Sequence, residues 1–129
     1  MKIAALQTVS TPDVDRNLEA AAGLIAQAAQ QGAQLVSLPE YFCLMGQRDT
    51  DKLAHAEEPG AGPIQLFLSE QAKQHGLWLI GGTLPLRAGT PERARNACCV
   101  YGPEGALAAR YDKIHLFRFE TERESYDEA

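Results

Sequence analysis

Apolar residues fall in short runs along the chain, and the spacing between them changes from run to run. Lys2 to Val9 alternates loosely and is rich in apolar residues, which predicts a buried strand. Thr11-Pro12-Asp13 then reads as a helix start: a hydroxyl cap, a proline at the first helical position and an acid in the first turn. Val14, Leu18, Ala21, Ala22, Ile25 and Ala29 recur at helical spacing and form one apolar stripe. Gly32 stands where such a helix stops. Ala33 to Leu38 is short, continuous and apolar, the pattern of a parallel strand covered on both faces.

The first 38 residues therefore read as strand, helix, strand, one right-handed crossover unit. In open sheets of this kind, sites gather outside the carboxyl ends of strands. Glu40 falls there, and Pro39 keeps Leu38 extended and stops the ladder. Residues 48–63 are polar, end in glycine and proline, and read as a loop, a rim or a lid. A second helix is predicted from Pro63 to about His75, with Ile64, Phe67, Leu68 and Ala72 on its apolar face and Gly76 at its end. Residues 77–86 read as a third strand. Residues 93–117 read as two strands joined by the turn Gly102-Pro103-Glu104-Gly105, the second ending near Lys113. There is no internal repeat.

Composition narrows the classes. The chain has 129 residues, 45% hydrophobic and 22% charged, which fits one soluble globular domain and not a disordered chain. Net charge is −5, so a nucleic-acid partner is not expected, because binding the phosphate backbone needs a basic face. Five of the 17 acids fall in residues 120–129, read as a solvated acidic segment. No apolar run approaches the ~20 residues that span a bilayer, and the N-terminus reads as a strand and not as a signal peptide, so no membrane partner is expected. Three cysteines, two of them adjacent, make no disulfide framework, and the cytoplasm is the simplest compartment.

Three reactive groups remain. Glu40 lies at one strand end, Lys113 at or just past another, and Cys43 three residues after Glu40. A carboxylate beside an ammonium is often only a salt bridge. Held in one dry pocket, the same two groups would make a general base and an oxyanion stabiliser that lack a nucleophile. Cys43 falls in the loop after the glutamate. Cys98 and Cys99, neighbours on a strand, point to opposite faces, and a disulfide between them would be strained. His55 and His75 read as surface residues. No spacing of His, Cys and acids forms a metal site, and no metal or cofactor is expected. Gly81-Gly82 reads as close backbone packing within a strand. Tyr41 and Phe42 either line a pocket or pack the core.

The stretches "LVSLPEYF", "GLWLIGGTLPL", "RARNACCVYGPEG" and "RYDKIHLF", in that order, resemble the nitrilase superfamily of carbon–nitrogen hydrolases. The wording is most similar to the branch acting on small ω-amides and deaminated glutathione. The resemblance implies an α/β fold, half of a nitrilase-type α-β-β-α sandwich, with residues 1–129 as the N-terminal part of the domain. It implies that Glu40 is the general base, Lys113 the transition-state lysine and Glu128 a second glutamate that positions substrate and lysine. Asn96 resembles a polar residue the family keeps in this strand, and His115 sits in the motif as an orderer of the lysine loop. The family's nucleophilic cysteine lies beyond the lysine motif, so the expectation is a fragment without its nucleophile. The implied substrate is a small amide or nitrile, and the full-length protein is expected to be a homo-oligomer. The competing reading is a non-catalytic α/β binding module.

Overall fold

The computed structural model describes residues 1–48, 50–120 and 125–127, with residues 118–120 and 125–127 described by their backbone alone. Strand β1 (Ile3–Ala5) leads to helix α1 (Val14–Gln30) and strand β2 (Leu35–Ser37). Helices α2 (Asp51–His55) and α3 (Pro63–His75) follow. Next come β3 (Trp78–Ile80), β4 (Leu84–Arg87), β5 (Ala94–Tyr101) and β6 (Leu107–Asp112). Strands β7 (Arg118–Glu120) and β8 (Ser125–Asp127) form a separate antiparallel pair, β8 lying within the stretch read as an acidic segment and β7 reaching it only at Glu120.

β1, β2 and β3 are parallel, and β5 runs antiparallel to them. One edge of β5 takes β3 and β4 in succession, and the other edge takes β6. The predicted single strand over 77–86 is thus two strands, broken at Gly81-Gly82-Thr83. A Cβ at Gly81 would crowd Leu68 and the Cys99 carbonyl oxygen, and Gly82 adopts φ +57°. Glycine here allows the ladder to break and a second segment to approach.

The helices cover one face of the sheet. Ala21 and Ile25 of α1, Leu68 and Ala72 of α3, and Val36, Leu79, Ala97 and Cys99 of the strands form one buried cluster. Burying each large aliphatic side chain there stabilises the fold by roughly 1.5–3 kcal/mol. Alternation puts Ile3, Leu35 and Trp78, which are in register across three strands, on the opposite face. Ile3 and Trp78 are exposed, at 68% and 40%. The expectation of a strand covered on both faces is therefore corrected: among the described residues only the helix side is covered.

Other local expectations change. Strand β1 is shorter than the predicted 2–9. The cap of α1 is Asp13, whose carboxylate accepts the Arg16 N–H, and not Thr11. Thr11 instead donates its hydroxyl to Asn17 Oδ1. The predicted loop over 48–63 contains α2 and a bridge from Glu57 to Leu86. Pro63 starts α3 as predicted, but the cap Gly62 has no side chain. The buried Glu57 carboxylate takes that place, accepting the N–H groups of Ile64 at 2.6 Å and Gln65 at 3.1 Å. Negative charge is favoured at a helix start. The glycine is required, because a Cβ at position 62 would run into the Glu57 side chain.

Candidate active site

Glu40 is delivered by the end of β2. Leu38 N–H still pairs with the Ile80 carbonyl at 2.9 Å, then Pro39 ends the ladder. The chain turns at once: Phe42 N–H donates to Pro39 O at 3.2 Å, and Tyr41 takes φ 50°, in the left-handed region. A non-glycine residue holds that conformation only when its surroundings fix it. Here Thr83 Oγ1 accepts the Tyr41 N–H at 2.9 Å. Gly82 packs against the same turn so closely that a Cβ there would overlap the Pro39 carbonyl oxygen. The break between β3 and β4 is thus the support under Glu40.

Lys113 follows β6 directly, 73 residues away in sequence. Its Nζ donates to Glu40 Oε1 at 3.1 Å, forming a salt bridge. Its backbone N–H donates to the Asn96 carbonyl at 2.9 Å. Asn96, on β5 and 2% exposed, donates its side-chain amide to Glu40 Oε1 at 2.8 Å. Strands β2, β5 and β6 thereby converge on one carboxylate. The pair is not dry: the Lys113 and Glu40 side chains are 29% and 54% exposed, which corrects the expectation of a water-poor pocket. The described residues cover the helix side of the sheet, and the pair lies off the other side. A cleft of about 380 Å³, within the usual size for a small-molecule site, borders it and includes Arg93, Asn96, Lys113 and Leu116.

The three cysteines are free thiols and none suits attack. Burial pushes the Cys43 thiol up to about 12, and the nearby Glu57 charge adds to the effect. The thiol donates to Thr83 O at 3.7 Å and is fully buried in the core. Burial also raises Cys98 and Cys99. Cys99 lies in the core and Cys98 on the other side of β5, as alternation requires. Phe42 packs in the core against Phe67, ring centroids 6.4 Å apart, and so belongs to the core. His55 and His115 are exposed. No group of three His, Cys, Asp or Glu that could hold a metal occurs among the described residues. Glu128 lies outside the described residues.

Sequence reasoning brought Glu40 and Lys113 together and singled out Asn96 without a role, but passed over Thr83 and Glu57. Asn96 had a readable signal, an amide in a strand whose other residues are mostly apolar, since buried polar groups need partners. Thr83 and Glu57 had none: Thr83 meets Tyr41 across 42 residues, and Glu57 reaches the start of α3 from a spacing that no capping pattern marks.

A family model described as carbon-nitrogen hydrolase matches residues 2–129. The chain belongs to the carbon–nitrogen hydrolase family. It is 41% identical over 111 residues to a chloroplastic omega-amidase of Arabidopsis thaliana, covering 83% of this chain and 29% of that protein. It is 39% identical over 115 residues to a deaminated glutathione amidase of Synechocystis sp., covering 88% of this chain and 42% of that one. Among solved structures, the C. elegans NitFhit protein superposes with a TM-score of 0.80 at 26% identity, covering 98% of this chain and 31% of that one. An amidase from Nesterenkonia sp. superposes with a TM-score of 0.78 at 29% identity, covering 91% and 44%. The chain spans less than half the length of these relatives. The mixed α/β fold is that of the nitrilase superfamily.

Proposed function

We propose that this chain is the N-terminal part of a small-amide hydrolase domain in which Glu40 is the general base and Lys113 the oxyanion stabiliser. The observation that carries the reading is the 3.1 Å contact between Lys113 Nζ and Glu40 Oε1 at the carboxyl end of β2. The glutamate would take a thiol proton as sulfur attacks the amide carbon, then pass it to the departing amine. The ammonium would stabilise the negative oxygen of the tetrahedral intermediate. Water would then hydrolyse the thioester and release the acid. Glu128 is assigned to positioning substrate and lysine.

The attacking thiol is assigned to sequence beyond the lysine motif and not to Cys43, whose burial and raised proton affinity oppose thiolate formation. In the Nesterenkonia amidase, acrylamide adds to an active-site cysteine when a glutamate is replaced by glutamine. That chemistry supports a thiol and a glutamate working together. The names of the relatives support a small amide as substrate, and the compartment remains assigned to the cytoplasm. The test is ammonia release from small ω-amides. The 129-residue chain alone should show none, and a chain extended to include a family-type cysteine should show turnover. Turnover by the short chain, lost on Cys43→Ala, would move the nucleophile to Cys43.

A further inference from the structure

Glu40 Oε1 accepts two hydrogen bonds, from Asn96 Nδ2 at 2.8 Å and from Lys113 Nζ at 3.1 Å. The other carboxylate oxygen, Oε2, takes none from the described residues. Asn96 is one of the few buried polar side chains, and it lies on the side of β5 away from the helices, in line with Cys98 and Val100. Its backbone carbonyl also accepts the Lys113 N–H at 2.9 Å. One residue thus touches both members of the pair, the acid through its side chain and the lysine through its backbone. A neutral amide can do this without competing with Lys113 for the negative charge. An aspartate of the same shape would instead set two carboxylates against each other.

We propose that Asn96 is a positioning residue. It anchors Oε1 of Glu40 beside Lys113, so that Oε2 alone faces outward to exchange the proton. The proposal rests on the reading of Glu40 as general base and adds which oxygen does the work and what orients it. Strand geometry holds the Asn96 backbone, which is in register with Pro85 of β4 on one side and accepts the Lys113 N–H just past β6 on the other.

The test has an arm that needs no catalysis. In the ¹⁵N-labelled 129-residue chain, the Asn96 side-chain amide should resonate downfield and exchange slowly with water. Glu40→Ala, at an exposed position where folding is not threatened, should shift that signal upfield and speed its exchange about tenfold or more, the scale of a lost hydrogen bond to a charged group. An Asn96 amide indifferent to Glu40→Ala overturns the proposal. The second arm uses the cysteine-bearing enzyme. Asn96→Asp, nearly the same in shape, should lower kcat by about 10²-fold with KM within about threefold, as expected when an oriented base is lost. A folded Asn96→Asp enzyme with kcat near wild type also overturns it. If Glu40→Gln itself retains full turnover while the Asn96 signal still responds to Glu40→Ala, the base assignment fails and the bond survives.

Discussion

Lys113 and Glu40 make a partly exposed ion pair, and such pairs contribute about 0–1 kcal/mol. Lys113→Ala should therefore hardly move the thermal midpoint, and a large drop on melting would show a structural pair instead. Cys43 gives a second residue-level test. Its thiol is raised from 9.0 to about 12 in the fold, so between those values the unfolded chain loses the proton first. Stability from this group is intact below pH 9 and falls as pH rises toward 12, by about 1.4 kcal/mol per unit. Tyr101, raised from 10.0 to about 12 by burial, adds a fall in the upper part of that window. Urea unfolding at pH 8, 9.5 and 11 should show the decline, reduced but not abolished in Cys43→Ala; a flat profile contradicts the burial argument. Glu40 and Lys113 could be found in the sequence because strand ends and motif wording mark them. The role of Asn96 could not, since it arises only when β5 is laid beside the turn that carries Glu40.

At the level of elements, the support beneath Glu40 is the broken β3–β4 segment. Gly82→Ala would place a Cβ against the Pro39 carbonyl at a φ that favours glycine, and should cost about 1–3 kcal/mol in denaturant unfolding while disturbing the turn. A neutral result would mean that the Gly82 contact does not hold the turn. Glu57→Ala removes the acceptor for two backbone N–H groups at the start of α3 and should cost about 1–3 kcal/mol. The long periodic helices were legible because their stripes and stops are local: Gly76, for instance, ends α3 in the left-handed conformation. The caps were less so. Thr11 looks like a cap and Asp13 is one, because both offer an oxygen within three residues and only the backbone path chooses between them. Glu57 caps a helix from six residues before it, a distance at which no spacing rule operates.

Across the whole molecule, one side of the sheet is packed by α1 and α3, and the other presents Ile3 and Trp78 with the acid–amine pair at its end. Apolar sheet surface of this kind pairs or aggregates. The 129-residue chain should elute as a self-associated species in size exclusion, and Ile3→Ser with Trp78→Ser should shift it toward monomer. A monomeric wild-type chain contradicts this. The α/β class was legible from the strand-helix-strand start, whereas the continuous apolar run of residues 33–38 suggested cover on both faces without saying what supplies it. The proposed hydrolysis depends on Glu40 acting on a thiol with Lys113 beside it. The most direct measurement is kcat for ammonia release from a small ω-amide by the cysteine-bearing enzyme, wild type against Glu40→Gln. A fall of about 10²–10⁴-fold is expected in a fully folded variant; turnover within a few-fold of wild type would contradict the proposed role of Glu40.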